Sequence, residues 1–99
     1  MTTTCPTWCT TTDHAAGSTA ADRAEGYQLH SRDYTDSDGI TQFSLIHVTY
    51  TDPSRNTAAD VATGIESWQP ETMAEVDEAC ELFRAAMLHA LDTNQTASA

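Results

Sequence analysis

The sequence predicts an α+β domain: a three-stranded antiparallel β-meander packed on one long C-terminal helix, preceded by a metal-stapled N-terminal loop. Residues 27–65 are rich in β-branched and aromatic side chains and are interrupted by clusters of turn residues. Residues 72–91 repeat apolar side chains at helical spacing. Residues 1–26 contain mostly Thr, Ala, Asp and Gly without apolar periodicity, so this segment needs an anchor other than a core of its own.

The length of 99 residues allows one small domain with a modest core, whose stability a metal or a partner often supplements. We expect this domain to span residues 1–92, with the cysteine-rich loop at 1–26, the meander at 27–68 and the helix at 70–92. The remaining residues, 93–99, are expected to fray.

The charge of the chain is strongly acidic. Fifteen Asp and Glu residues against four Arg give a net charge of -11, which disfavours nucleic acids and anionic membranes and favours a protein partner with a basic surface. The N-terminus has no basic region followed by an apolar run, and no apolar stretch reaches membrane-spanning length. We therefore expect a cytoplasmic protein.

The first two strands are predicted to form a hairpin. Residues 27–34 alternate between two faces, residues 36–39 supply the turn, and residues 40–50 form the second strand. The apolar side chains of this second strand divide between its faces: Phe43 and Leu45 on one, and Ile46, Val48 and Tyr50 on the other. Either both faces are partly covered or a bulge near residues 44–46 switches the register, and the sequence does not choose.

The third strand and the helix follow a second turn at residues 51–56, where Pro53 fixes φ. Alternation from Ala59 to Ile65 predicts the third strand. Thr72 and Glu75 fit a capping box and place the helix start, and the helix is expected to run over 72–91. Its apolar stripe is expected to face the sheet, with Cys80 acting as a small hydrophobe: Met73, Val76, Cys80, Phe83, Met87 and Leu91.

The segment CPTWCTTTDH contains the residues best suited to chemistry. Cys5, Cys9, His14 and His30 are spaced as C-x3-C-x4-H-x15-H and make a complete tetrahedral ligand set. Structural zinc sites close all four positions with Cys and His, so we predict a structural Zn2+ that fastens residues 1–30 to the hairpin. Trp8 would then cover apolar surface. Two alternatives stay open: iron in place of zinc, and ordinary thiols in an unanchored tail.

This motif resembles one shared by a family of small actinobacterial and actinophage proteins of unknown function, C-P-x-W-C…D-H…H. The residues that carry the resemblance are Cys5, Pro6, Trp8, Cys9, Asp13, His14 and His30. The resemblance implies a zinc-like site and a bacterial or phage cytoplasmic setting, and it implies no reaction. His47 and His89 are not expected to be ligands.

Two classes of function suit these features. The first is a non-enzymatic interaction module, such as a phage accessory protein that inhibits a host replication or nucleic-acid-binding protein, with an acidic DNA mimic as a variant. The second is a zinc hydrolase with Asp13 or Asp33 as base. The chain has no nucleophile elbow and no phosphate-binding glycine loop, and its cysteine spacing is not that of a redox motif, so we expect no enzyme.

Two further places are candidate partner contacts. Residues 42–46, QFSLI, are similar to the pentapeptide by which bacterial proteins dock on the replication sliding clamp, with Gln42, Phe43 and Leu45 as the contacting residues. Trp68, just before the helix, either closes the edge of the core or anchors a partner, and we favour the core.

Overall fold

The computed structural model describes residues 5–98 and has the predicted architecture. A three-stranded antiparallel sheet of order β1-β2-β3 packs against a long C-terminal helix. No helix within the described residues is long and apolar enough to cross a membrane. The elements in chain order are α1 (Ala20–Ala24), β1 (Gln28–Thr35), β2 (Thr41–Thr49), a 3-10 turn (Pro53–Arg55), β3 (Asp60–Thr63) and α2 (Met73–Ser98).

The outer edge of β1 is covered by the N-terminal segment. The backbone N–H of Thr10 donates to the carbonyl of Ser31 at 2.9 Å, and the N–H of Leu29 donates to the carbonyl of His14 at 2.7 Å. Residues 10–14 therefore lie along β1 and satisfy backbone groups that an edge strand would otherwise expose. The two anchoring points, Leu29 and Ser31, are the neighbours of His30 in the chain.

The predicted loop at residues 1–26 contains one short helix that the sequence analysis missed. Helix α1 begins after Thr19, whose hydroxyl accepts a hydrogen bond from the N–H of Asp22, while the Asp22 carboxylate accepts one from the N–H of Thr19. This reciprocal pair is a capping box with Asp in place of the usual Glu. Residues 1–4 of the predicted loop lie outside the described residues.

The hairpin is irregular at its turn and regular in the middle of β2. Pairing shifts between Tyr34, opposite Phe43, and Thr35, opposite Thr41, so that Gln42 is the extra residue. Across residues 44–46 the pairing is continuous with both neighbouring strands. The first of the two sequence alternatives is therefore correct, because both faces of β2 are partly covered and its centre has no bulge.

Helix α2 packs on the sheet through small residues, and the predicted core stripe is wrong. Ala86 and Ala90 are buried with the aromatic and aliphatic side chains of Trp8, Tyr34 and Leu45. Of the predicted stripe, Val76 is half-buried, Cys80 is exposed, and four members are large apolar side chains left largely in solvent: Met73 (70% exposed), Phe83 (46%), Met87 (44%) and Leu91 (52%).

The reason lies in the volume of the side chains that reach the same space. Trp8 enters the core from the N-terminal segment and Tyr34 enters it from β1, so the helix reaches full burial only at small residues, with Leu82 half-buried beside them. Alanine side chains let the helix approach these aromatic rings closely, as a core with few voids requires. Phe83 still contacts the sheet at its border, where its ring centroid lies 5.2 Å from that of Phe43.

Helix α2 also extends past the predicted end at Leu91 and continues through Ser98. Its last turns contact the rest of the fold: the Thr93 hydroxyl accepts a hydrogen bond from the Trp8 indole at 2.9 Å, and the Asn94 side-chain oxygen accepts one from the Ala59 N–H at 2.7 Å. Residues 93–98, which are expected to fray, are therefore part of the helix in the structure, and residue 99 lies outside the described residues. Apolar periodicity along the sequence does not predict these contacts, because their partners lie far apart in the chain.

The small-residue face of α2 gives a first testable prediction. Replacing the fully buried Ala86 by Leu (Ala86→Leu) should destabilise the protein by ~1 to 3 kcal/mol, because the added carbons overpack a filled space. The same change at the exposed Ala74 (Ala74→Leu) should stay within about 0.5 kcal/mol of the parent. Urea denaturation followed by circular dichroism measures both. Equal stability of the two variants would contradict the proposed packing.

Candidate metal centre

A tight turn arranges the two cysteines of the N-terminal segment. The N–H of Cys9 donates to the carbonyl of Pro6 at 3.0 Å, which closes a four-residue turn between the cysteines. This turn directs Trp8 into the core, where 4% of its surface is exposed, and leaves the thiols of Cys5 and Cys9 on the side of His14. The core contact of Trp8 and the position of the thiols therefore depend on the same turn.

The two histidines approach the thiols from different parts of the fold. His14 follows Asp13, whose carboxylate accepts a hydrogen bond from the N–H of Ala15 at 3.1 Å and so shapes the local turn. His30 lies within β1 and is almost completely buried. The Nε2 atom of His30 is 3.1 Å from the Thr49 hydroxyl, whereas its Nδ1 atom faces Cys9. A hydrogen bond at one ring nitrogen that orients the other is typical of metal-binding histidines.

The four predicted ligands, Cys5, Cys9, His14 and His30, are brought together, with their ligand atoms all within 4.8 Å of one another. Tetrahedral zinc with ordinary Zn–S and Zn–N bonds requires a sulfur-to-nitrogen separation of about 3.6 Å. The Sγ of Cys9 lies 3.7 Å from His30 Nδ1 and 3.8 Å from His14 Nε2. The Sγ of Cys5 lies 3.2 Å from His14 Nε2. The donor set and its spacing therefore fit a four-coordinate metal ion.

The crowding of the group disfavours charge on its members when no metal is bound. Burial lowers the pKa of His30, and the neighbouring imidazoles of His14 and His47 lower it further, so the ring stays neutral and able to ligate. Desolvation raises the pKa of Cys5, and the adjacent Cys9 thiol adds to this by charge repulsion. A metal ion would relieve that repulsion, since two thiolates balance a divalent charge.

A cavity of about 400 Å³ adjoins this group, lined on one side by Cys5 and His30 and elsewhere by Trp8, His47 and Asp92 among others. His47 is the partner of His30 across the hairpin, with ring centroids 6.2 Å apart, and its buried Nδ1 atom has no hydrogen-bond partner among the described residues. No local sequence signal links His47 to the site, because the link depends on strand register.

The other two histidines and the two candidate general bases are not members of the four-residue group. His47 is outside the four-residue group, and His89 bonds to the hydroxyl of Tyr34 at 2.6 Å through its Nδ1. That neither is a ligand stays a prediction. Asp33 accepts a hydrogen bond from Ser44 and alternates with His30 to the opposite face of β1. Asp13 caps its own turn. Neither proposed general base is directed at the metal group.

The predicted partner contacts lie mostly within the fold. Residues 42–46 are in the central strand, and Gln42 and Leu45 are 4% and 0% exposed. Gln42 donates from Nε2 to Asp36 at 3.0 Å, Phe43 packs at the core border, and Trp68 is half-buried. Binding to a sliding clamp through these residues stays a prediction, and it would require β2 to leave the sheet.

In comparisons with known proteins, no protein-family model, curated protein or solved structure matches the chain. The resemblance to actinobacterial and actinophage proteins therefore stays a prediction.

The bond between Trp8 and α2 can be tested by a near-isosteric change. Thr93→Val removes the acceptor of the buried Trp8 indole N–H, and we expect a loss of ~1 to 3 kcal/mol in unfolding free energy. Thr96→Val is the matched control, because the hydrogen bond of the Thr96 hydroxyl in the described part of the chain stays within the helix, to the carbonyl of Asp92. Chemical denaturation monitored by tryptophan fluorescence measures both. A smaller loss for Thr93→Val than for Thr96→Val would contradict the contact.

The buried histidines predict the pH dependence of the metal-free protein. Burial lowers the pKa of His30 and of His47 in the folded state, so below about pH 6.5 the unfolded chain binds more protons than the folded one. Stability should therefore fall as the pH is lowered from 7.5 to 5.5, and His47→Gln should make that fall shallower. Thermal midpoints of chelator-treated protein measure the slopes, and an unchanged slope in the variant would contradict the burial argument.

Proposed function

We propose that this chain is a small non-enzymatic interaction module in which a structural zinc ion fastens the N-terminal segment to the sheet. One observation carries the metal part: four protein ligand atoms, from two cysteines and two histidines, meet at separations that suit tetrahedral zinc. The protein itself supplies all four positions, as in structural zinc sites. The proposed setting is the cytoplasm of a bacterium, with a host protein as the target.

Zinc would add strong metal–ligand bonds between the N-terminal segment and the sheet, which are otherwise joined by weaker interactions. Residues 5–18 contribute one large core side chain, Trp8, and otherwise attach to the sheet through hydrogen bonds at Ser31 and Leu29. A domain of this size has little stability to spare, so a metal that holds this segment in place would retain Trp8 in the core. The ion would thus stabilise a surface rather than perform a reaction.

The binding role is supported by charge and by apolar exposure. The net charge of -11 suits a partner with a basic surface. Several large apolar side chains of α2 are exposed in a chain whose core is otherwise small. Contiguous exposed apolar surface in a small protein is typical of an interaction site.

Zinc-dependent hydrolysis is a second candidate because a cavity adjoins the metal group. A catalytic zinc site keeps one coordination position for water, which here would require one of the four ligands to be displaced. Cys5 is the exposed member of the group and would be the one to leave. The positions of Asp13 and Asp33, described above, provide no base for such a reaction, so the structural role is the one we favour.

The zinc proposal is tested by metal content and limited proteolysis. The purified protein should contain one zinc per chain, and chelation should make residues 5–18 sensitive to protease while most of the circular dichroism of the sheet and α2 remains. Cys9→Ser should reproduce the chelated state, because it removes one ligand from the group. Cys80→Ser, at an exposed thiol outside that group, is the matched control and should retain the metal.

Three results would count against this proposal. Protein isolated without stoichiometric zinc that also fails to bind added Zn2+ would contradict the site. Equal digestion with and without chelator would contradict the fastening role. Zinc-dependent turnover of ester or phosphoester substrates that persists in Cys5→Ser would favour the hydrolase, because the remaining three ligands would leave a position for water.

A further inference from the structure

The exposed apolar side chains of α2 form one continuous surface. Most of them recur at helical spacing over the length of the element, and we call these the apolar stripe: Met73, Cys80, Phe83, Met87 and Leu91. Leu88 is also exposed and lies to one side of the stripe. At a rise of 1.5 Å per residue the stripe is about 27 Å long. It lies beside the buried alanine face rather than on it, so it makes no large contribution to the core.

Acidic side chains border the stripe on its solvent side. Asp77, Glu81 and Asp92 are exposed, and helical spacing places them in a row together with Leu88. Arg84 is the single Lys or Arg in the whole sequence of α2. A partner that covers the stripe must therefore approach a row of carboxylates.

The other border of the stripe is a shallow cavity between α2 and β3. It has a volume of about 300 Å³ and is lined by Met87, Ala90 and Leu91 of the helix and by Ala59 and Val61 of the edge strand, among others. Its walls are mainly apolar, and Asp60 lies at its margin. A cavity of this kind at the border of an apolar surface can take one large apolar side chain of a partner as an anchor.

We propose that the apolar stripe is a docking site for a basic amphipathic helix of another protein. The inference rests on the proposed role as an interaction module and adds to it the surface and the chemistry of the partner. An apolar stripe of helical spacing suits the apolar face of a second helix, since residues three and four apart meet the stripe along its whole length. Lys or Arg beside that face would pair with Asp77, Glu81 and Asp92.

A second copy of this chain fits the surface less well. Two copies that paired through the stripe would bring two chains of charge -11 together, and Arg84 would be the one basic residue that each α2 offered to the carboxylates of the other. A basic partner would instead be attracted by the same carboxylates. The two occupants therefore differ in their response to salt: binding of a basic helix weakens as salt is added, whereas self-association strengthens.

The test uses the full-length protein as purified, with its zinc content measured, and two synthetic peptides. Each peptide has about 20 residues, enough to match the stripe as a helix, with an apolar face of Leu and a polar face of either Lys or Glu. Fluorescence anisotropy of the labelled peptide measures the dissociation constant at low and moderate salt. The Lys peptide should bind and the Glu peptide should bind at least about tenfold more weakly, a difference of about 1.4 kcal/mol.

Variants of the stripe separate docking from general attraction to an acidic protein. Met87→Gln and Leu91→Gln keep the net charge and change side chains that are largely exposed, so the fold should be retained. Each should weaken binding of the Lys peptide by about tenfold. Ile46→Thr removes an apolar side chain of similar exposure from the opposite face of the sheet and should leave binding unchanged. Circular dichroism and zinc content of each variant verify its fold.

The outcomes distinguish this inference from the zinc proposal. Stoichiometric zinc without binding of the Lys peptide, or equal binding by the stripe variants and the parent, overturns the docking site and leaves the metal site standing. Absence of zinc with intact, stripe-dependent peptide binding overturns the metal site alone. Sedimentation equilibrium that shows dimers strengthened by salt and abolished by Leu91→Gln overturns the basic partner in favour of a second copy.

Discussion

Backbone hydrogen bonds on either side of His30 hold the N-terminal segment against the outer edge of β1, and much of the molecule depends on this attachment. The bond from Leu29 to His14 and the bond from Thr10 to Ser31 place two of the other ligands next to His30. The same attachment brings Trp8 over the sheet, where it enters the core. The ligand group and the core are therefore formed by one packing event, and a metal ion there would strengthen both.

Trp8 in turn determines which face of α2 is buried. With the indole and the ring of Tyr34 above the sheet, the helix buries mainly alanines against them, and Thr93 accepts the indole hydrogen bond that burial demands. The large apolar side chains are consequently displaced to the border of the helix. The exposed stripe is thus a product of core packing, and its exposure gives the molecule a surface that a partner can cover.

Charge restricts which partners that surface accepts. Acidic residues along the solvent side of the stripe combine with a high net negative charge, so that long-range attraction favours basic partners and disfavours copies of the chain. The ligand group and the stripe lie on different parts of the fold and connect through α2. Thr93 bonds to Trp8 two residues after Leu91, the last member of the stripe, so the position of the helix depends on the anchored N-terminal segment.

The sequence by itself determined the class of the fold, the presence of a long C-terminal helix and the four residues of the ligand group. These features can be predicted from short stretches of sequence. Runs of β-branched residues and turn residues predict the strands, helical spacing predicts the helix, and closely spaced Cys and His residues predict a metal site. Tertiary structure alone decided the buried face of α2, because two apolar sets, one of large side chains and one of alanines, both follow helical spacing. Tertiary structure also decided that His30 pairs with His47. The extra residue Gln42 near the hairpin turn shifts the strand register, and the turn residues in the sequence do not predict that shift. Contacts such as those of Thr93 and Asn94 join residues far apart in the chain, and only the packed fold places such partners together.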